Sequence, residues 1–188
     1  MNDLLDLYKQ AFYGYKNKRE HKATDTEYSY KRTTDGKIYI CFQGSTSKID
    51  WLQNFNFIPK KYNGIFYHCG MLKKWLAVKD DIIKLIGSDL AYFTGFSQGG
   101  GVAAIATVDL IESGYRVDHG VTFGAPKTIF NKDKTNNIYA VIHNKDVVPM
   151  LPPFYPKQRV LKKLQGRFKL WDVYKNHMDY ENIIRGLK

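Results

Sequence analysis

Ser97 lies in the segment Gly95-Phe96-Ser97-Gln98-Gly99, where a serine can act as a nucleophile. Residues 90–94 form a short apolar run typical of a buried strand, and residues 99–113 have the apolar rhythm of a helix that ends at Gly114. A strand that turns sharply into a helix leaves room only for small residues beside the corner. The pattern predicts a nucleophile elbow, with Ser97 Oγ exposed and the helix N-terminus directed at any oxyanion formed there. A chance occurrence is the alternative, and the strand-helix context argues against it.

A nucleophilic serine needs a histidine as base and an acid that orients the histidine, and at such an elbow they follow the serine in the order acid, histidine. Asp146 follows the apolar strand 138–142, and loops at strand ends present functional groups in α/β sheets. His177 fits the order, since the other histidines either precede Ser97 or lack a suitable acid upstream. We predict the triad Ser97, Asp146 and His177. The alternatives are a turn residue at Asp146, a helix-capping surface histidine at His177, and Asp172 as a competing acid.

Four blocks of sequence, spread from about Tyr39 to Tyr180, resemble the fungal-type class 3 triacylglycerol lipases, an α/β-hydrolase family. The blocks are residues 40–47 with Trp51, residues 68–71, the elbow, and residues 146–152 with 177–180. The resemblance implies an α/β-hydrolase fold, whose mostly parallel central sheet is flanked by helices, and the hydrolysis of carboxylic esters. Three residues depart from the pattern: Gln43 replaces the usual arginine, Phe96 the usual histidine, and Gln98 a common leucine. The elbow itself is closer to those of small carboxylesterases and acyl-protein thioesterases.

The resemblance also implies an oxyanion hole made by the backbone N–H groups of Gln98 and Ser45. The residue after the nucleophile begins the helix and so has an N–H group without a helical partner, which agrees with the assignment of Gln98. For Ser45, a plain strand-to-loop turn is the alternative.

Family members carry a short lid after the oxyanion loop, and residues 47–59 hold a set of apolar side chains at the corresponding place. Part of the set shares one face at helical spacing, and Pro59 would end the element. We expect these side chains to contact the substrate, either as a mobile lid or as a fixed helix that forms an apolar wall. The residues predicted to do so are Ile49, Trp51, Leu52 and Phe55.

The 188 residues fit one α/β domain over 1–188, because strand and helix patterns alternate and no linker or repeat interrupts them. Asp35-Gly36 is typical of the turn of a β-hairpin. The predicted elements are a helix from Leu4 to about Tyr15, a hairpin of 28–33 and 37–42, a helix over 71–86, the elbow strand and helix, strands over 120–123, 138–142 and 168–173, and a closing helix over 178–184.

The formal net charge is +11, and basic residues concentrate between Lys157 and Lys169. We expect this run to dock on an anionic lipid surface, with a merely soluble basic surface as the alternative. No nucleic-acid partner is expected, because no helix-turn-helix, zinc or RNA-binding signature accompanies the charge. The first residues lack the pattern of a signal peptide, and two cysteines imply no disulfide framework, so we expect a cytosolic protein.

The sequence therefore predicts a serine hydrolase of carboxylic esters, acting on lipid or other acyl esters through an acyl-enzyme intermediate. No cofactor and no metal are expected, since no cysteine–histidine spacing suits zinc. Three alternatives remain open at this point. The chain could be a thioesterase-like acyl hydrolase, a hydrolase fold that has lost catalysis and serves as a binding protein, or a basic module that acts on nucleic acid or a host protein.

Overall fold

The computed structural model describes residues 2–44, 58–156, 159–165 and 173–187. Short 3-10 turns connect several of the elements. Along the chain, the helices and strands are α1 (Asn2–Tyr13), β1 (Asn17–His21), β2 (Thr26–Arg32), β3 (Lys37–Phe42), β4 (Pro59–Tyr62), β5 (Ile65–His68), α2 (Cys69–Ile86), β6 (Leu90–Phe96), α3 (Ser97–Glu112), β7 (Val117–Phe123), β8 (Ile138–His143), β9 (Val160–Leu164), α4 (Val173–Met178) and α5 (Tyr180–Arg185).

The main sheet has seven strands in the order β1-β2-β3-β6-β7-β8-β9. Strands β3, β6, β7, β8 and β9 run parallel to one another, while β1 and β2 are antiparallel additions at one edge. The predicted hairpin is confirmed, since β2 and β3 pair with Tyr28 opposite Phe42. Strands β4 and β5 form a separate two-stranded hairpin. The mostly parallel sheet with helices on its faces is the α/β-hydrolase fold that the sequence predicted.

The core lies on both faces of the sheet. On one face, α2 and α3 pack against the strands, and Trp75, Ile82 and Ile105 are buried there. On the other face, α1 and α5 cover the sheet through Tyr8 and Tyr180, whose stacked rings have centroids 6.1 Å apart. Helix α3 is buried on nearly every side, which explains why its apolar residues are not confined to one stripe.

A buried carboxylate joins the two helices of the first face. Asp109 on α3 accepts hydrogen bonds from Trp75 Nε1 at 2.7 Å and from Asn63 Nδ2 at 3.4 Å, and its ion pair with Lys79 Nζ is 2.7 Å long. A buried charge is tolerated when it is paired and hydrogen-bonded, as here. The elbow helix is thereby fixed to α2 and to the turn between β4 and β5.

Two predicted elements in the second half of the chain differ in the structure, and two edge strands were not predicted. The strand predicted over 168–173 is wrong where it can be checked, because Val173 begins helix α4, and 168–172 lie outside the described residues. The closing helix predicted over 178–184 corresponds to α5, which begins at Tyr180, and α4 is a further short helix before it. Strands β1 and β9 were missed because they lie at the sheet edges and are almost entirely exposed. Strand β1 is polar throughout, and the apolar residues of β9 do not alternate with polar ones, so both lack the pattern by which strands are recognised.

Candidate active site

Ser97 stands at the corner between β6 and α3. Its φ of 54° lies in the left-handed region, which a residue with a Cβ adopts only when the surrounding structure enforces it. The side chain is almost fully buried at 4% exposure of the residue, beneath the edge where the parallel strands end. This is the strained strand-to-helix turn of a nucleophile elbow.

The glycines around Ser97 allow the corner to form. A Cβ on Gly95 would lie 2.5 Å from the carbonyl carbon of Gly99, and a Cβ on Gly99 would overlap the Phe42 carbonyl oxygen at the end of β3. Gly100 is equally confined, since its Cβ would lie 2.8 Å from Cβ of Ala125. Helix α3 thus approaches the neighbouring strand ends so closely that no larger residue fits at these positions.

The structure brings Asp146 and His177 together, although 31 positions separate them in the chain. His177 Nδ1 lies 2.9 Å from Asp146 Oδ2, and both residues are almost fully buried. Asp146 also accepts hydrogen bonds from the Val148 N–H at 3.0 Å and from the Tyr180 hydroxyl at 2.8 Å. Because an ionised carboxylate can only accept, Nδ1 carries the imidazole proton and Nε2 is the nitrogen that can take one up.

Tyr180 keeps its hydroxyl proton, and so donates to Asp146, at a pH where an ordinary tyrosine would ionise. Burial raises the pKa of its hydroxyl well above the usual range, and the nearby Asp146 carboxylate raises it further. The ring of Tyr180 also packs against His143 and Phe96, with centroid distances of 4.7 Å and 5.8 Å. Tyr180 therefore fixes the acid both by its hydroxyl group and by its ring.

The ring of His177 stacks on Phe96, the residue before Ser97, with centroids 4.7 Å apart and an interplanar angle of 26°. This contact places the histidine beside the elbow and gives a role to Phe96, one of the departures from the family pattern. Gly124 leaves room for the Asp146–His177 pair. It has a φ of 55°, and a Cβ there would lie 3.0 Å from Asp146 Oδ2 and 3.1 Å from His177 Cε1.

His143 is a site residue that the sequence did not reveal as such. Its Nδ1 accepts a hydrogen bond from the Lys145 N–H at 3.2 Å, so the proton is on Nε2, which donates to the Asn176 carbonyl. Asn176 directly precedes His177, and His143 therefore holds the backbone that carries His177. The available signal was its position at the end of β8, three residues before Asp146.

The predicted oxyanion hole is partly within the described residues. Gln98 lies in the first turn of α3, where backbone N–H groups have no helical acceptor. Gly44 lies close to Ser97, because a Cβ at Gly44 would be 3.6 Å from Ser97 Cβ. The loop that follows β3 thus begins beside Ser97. Ser45, however, lies outside the described residues, as do the predicted substrate contacts Ile49, Trp51, Leu52 and Phe55.

Gln43, another departure from the family pattern, ties this loop to α1. In the amide orientation that satisfies both polar atoms, its nitrogen donates to the Phe12 carbonyl at 2.9 Å and its oxygen accepts from the Gly14 N–H at 3.2 Å. The Gln43 N–H also donates to the Glu27 carbonyl at 3.0 Å. A neutral amide thus makes the contacts that position the start of the predicted oxyanion loop.

His68 is buried where β5 turns into α2, and burial lowers the pKa of its imidazole to about 4. The unfolded chain protonates this group below about pH 6.5, whereas the folded protein does so only near pH 4. The contribution of His68 to the free energy of unfolding should therefore be fully present above about pH 6.5. It should decrease by about 3 kcal/mol in total as the pH falls to about 4. Urea unfolding at several pH values should show a shallower fall for His68→Gln. An equal slope in both proteins would contradict the prediction.

Within the described ranges, no three His, Cys, Asp or Glu side chains converge on a point that could hold a metal ion. No helix among the residues covered by the structure has both the length and the apolar content to cross a bilayer.

A strained serine at a strand-helix corner and an Asp–His pair beside it define this chain as an α/β-hydrolase of the nucleophile-elbow class. The model of the family "Lipase (class 3)" matches residues 39–155. The chain belongs to the class 3 lipase family.

Similar proteins agree with this assignment. Over 133 residues, the chain is 31% identical to "Secreted mono- and diacylglycerol lipase 1" of Fusarium solani, which covers 62% of this chain and 40% of that protein. Among solved structures, the propeptide complex of Rhizomucor miehei lipase matches with a TM-score of 0.60 at 26% identity, covering 72% of this chain and 50% of that one. A Penicillium expansum triacylglycerol lipase shares the fold with a TM-score of 0.67 at 17% identity, covering 88% of this chain and 78% of that one. The chain spans about half the length of the curated relatives it matches.

Proposed function

We propose that this chain hydrolyses carboxylic esters, namely lipid or other acyl esters. Ser97 is the nucleophile, His177 the general base and Asp146 the acid that orients His177. The observation that carries the proposal is the conjunction of the strained Ser97 backbone with the hydrogen-bonded His177–Asp146 pair stacked on Phe96. A surface histidine or an ordinary turn aspartate would not need this burial or this alignment. Asp172, the competing acid, lies outside the described residues.

In the proposed reaction, Ser97 Oγ attacks the ester carbonyl while His177 Nε2 takes the hydroxyl proton. The imidazolium that forms is stabilised by Asp146, which the Tyr180 hydroxyl and the Val148 N–H keep in place. His177 then returns the proton to the leaving alcohol, and water releases the acid from the acyl-enzyme. The N–H of Gln98 lies at the positive end of the α3 dipole and is proposed to bind the oxyanion together with that of Ser45.

The substrate class follows from the names of similar proteins, which describe mono- and diacylglycerol lipases. Wild-type protein should hydrolyse p-nitrophenyl esters and become labelled by a fluorophosphonate probe, which reacts only with an activated serine. A series of acyl chain lengths from acetate to palmitate then gives the preferred chain. If the folded protein neither turns over any ester nor reacts with the probe, the fold serves as a binding protein and the proposal fails.

We further propose that residues 49–58 contact the acyl chain, as the family's lid would. Trp51→Ala and Phe55→Ala should lower kcat/KM for a long-chain ester by about 30-fold more than for butyrate, because an aromatic side chain contributes about 2 kcal/mol when it buries apolar area. Leu76→Ala, an exposed apolar position on α2, serves as the control. Equal losses at all chain lengths would identify the segment as an ordinary core helix.

The basic run from Lys157 to Lys169 is proposed to dock the protein on anionic lipid. Lys162 and Lys163 are exposed on β9, whose last residue pairs with His143, so their strand ends at the same sheet edge as the Asp146 loop. Replacing Lys162, Lys163 and Arg167 with glutamine should weaken binding to anionic vesicles by about 100-fold, given about 1 kcal/mol per basic residue.

Binding of the wild-type protein to anionic vesicles should weaken as the salt concentration rises, since the Debye length is about 8 Å at physiological ionic strength. Turnover of a soluble ester should not change. A triple variant at Lys31, Lys84 and Lys132 removes the same charge elsewhere and should retain binding. Sedimentation that is equal with anionic and neutral vesicles would assign the run to solvation alone.

The single-domain organisation over 1–188 and the cytosolic location remain proposals. The names of several relatives include the word "secreted", which does not favour a cytosolic location. Cys41 and Cys69 are free thiols, which supports a reducing compartment.

A further inference from the structure

A cavity of about 340 Å³ lies beside Gln98, on the side of Ser97 formed by α2 and the 3-10 turn that follows β1. Its charged lining consists of Lys22, Lys73, Lys74 and Asp25. Gln98 links the cavity to the catalytic centre, because its backbone N–H is the predicted oxyanion donor while its residue lines the cavity wall. A group bound here would therefore belong to a molecule that also reaches Ser97.

Among the described residues, the lining has an excess of two positive charges, from three lysines and one aspartate. Asp25 compensates little, since its side chain is 85% exposed and its carboxylate lies 3.9 Å from Lys74 Nζ. Lys74 is mostly buried, and its ammonium group donates to the carbonyls of Thr24 at 2.9 Å and of Asp25 at 2.5 Å. These bonds hold the turn against α2 and keep a positive charge at the cavity wall.

The N-termini of two long helices add to the positive electrostatic potential of the cavity. Gly70 is the second residue of α2 and Gln98 the second residue of α3, and both line the cavity. Neither helix has an acidic residue in its first turn, nor a hydrogen bond from its N-cap side chain. The partial positive charge of both helix N-termini is therefore not neutralised by the helices' own first turns. Such a wall disfavours an acyl chain and favours an anion.

We propose that this cavity binds a phosphate group of the substrate, so that the protein prefers carboxylic esters of a phosphorylated alcohol. Lysine ammonium groups are effective phosphate ligands, and a phosphate monoester dianion matches the excess of two positive charges. Burial lowers the pKa of Lys74, and a bound dianion would favour the charged form of this ammonium group. The inference rests on the proposed esterase function and specifies its substrate.

The chemistry at the phosphate is binding alone. Attack by Ser97 Oγ breaks the carboxylic C–O bond, and the alcohol leaves with the proton from His177 and with its phosphate ester intact. Water then hydrolyses the acyl-enzyme to the carboxylic acid and restores Ser97. The phosphate serves to hold the alcohol part of the substrate in register with the triad.

The first test compares hexanoyl glycerol 3-phosphate with hexanoyl glycerol, both as soluble monomers. Wild-type kcat/KM should be at least about tenfold higher for the phosphorylated ester, the range expected for a charged hydrogen bond. The double variant Lys22→Gln/Lys73→Gln should abolish this preference without changing turnover of the neutral ester. The matched variant Lys31→Gln/Lys84→Gln removes two exposed lysines elsewhere, one of them on the same helix, and should keep the preference.

The second test is independent of catalysis and uses calorimetric titration of the Ser97→Ala protein with glycerol 3-phosphate, inorganic phosphate and glycerol. Binding of glycerol 3-phosphate that depends on Lys22 and Lys73 supports the site even if no ester is hydrolysed, in which case the esterase proposal alone fails. No binding, with equal turnover of both esters, overturns the phosphate site while the esterase proposal stands. Equal binding of inorganic phosphate without any preference between the esters identifies a site for free phosphate and overturns the substrate assignment.

Discussion

Ser97→Ala and His177→Ala are each expected to lower ester turnover by about 10⁴- to 10⁶-fold, because nucleophile and base act as one unit and removing either abolishes the covalent route. Asp146→Asn should cost about 10⁴-fold through a different cause. An asparagine can present its amide N–H to His177 Nδ1, which would shift the imidazole proton to Nε2 and remove the base. The double variant Ser97→Ala/His177→Ala should be no slower than Ser97→Ala alone.

The chain contains a second Asp–His pair that serves as a matched control. Asp118 Oδ2 lies 2.5 Å from His119 Nδ1 on β7, where both side chains are partly exposed. Asp118→Asn and His119→Ala should leave turnover within about twofold, as expected of surface substitutions. Circular dichroism and urea unfolding should show that Ser97→Ala retains the fold. Fluorophosphonate labelling of Ser97→Ala at the wild-type rate would refute the assignment of the nucleophile.

Much of this fold could be predicted from sequence because its central elements are buried and strongly patterned. Strands β6 and β8 are continuous apolar runs, as strands covered on both faces must be, and helix α3 follows β6 at a cluster of glycines. The mostly parallel arrangement of the sheet then follows from the alternation of strands and helices. Strands β1 and β9 could not be predicted in the same way, since exposed edge strands are specified by hydrogen bonding to a neighbour rather than by burial.

The predicted triad depended on chain order, whereas its supporting contacts depended on three-dimensional proximity. Asp146 and His177 follow the elbow in the expected chain order, and the structure places them in hydrogen-bonding contact. The roles of His143 and Tyr180 required knowledge of how α4 and α5 fold back on the end of β8. The cavity beside Gln98 was equally hidden, because its lysines come from the turn after β1 and from α2, which are far apart in the chain.

Gly99→Ala is expected to lower the free energy of unfolding by about 3 kcal/mol, at the upper end of the cost of overpacking a rigid site. The new Cβ would overlap the Phe42 carbonyl oxygen and lie 2.6 Å from the Gln43 carbonyl carbon. Both obstacles are backbone atoms, so α3 must move away from β3 rather than a side chain rotate. Since α3 carries Ser97 and Gln98, turnover should also fall, by about 100-fold for a displacement of about 1 Å.

Two further substitutions separate steric overlap from a general effect of glycine replacement. Gly186→Ala lies at the end of α5 with a φ of −78°, and its Cβ would lie 3.4 Å from the Asn182 carbonyl oxygen, so stability should change by less than about 1 kcal/mol. Ser97→Gly should act in the opposite direction to Gly99→Ala. It removes the strain of a left-handed residue with a Cβ, which is about 1 kcal/mol, and so should yield an inactive but more stable protein. Urea unfolding measures all three, and a destabilised Ser97→Gly would mean that the elbow is not strained at the serine.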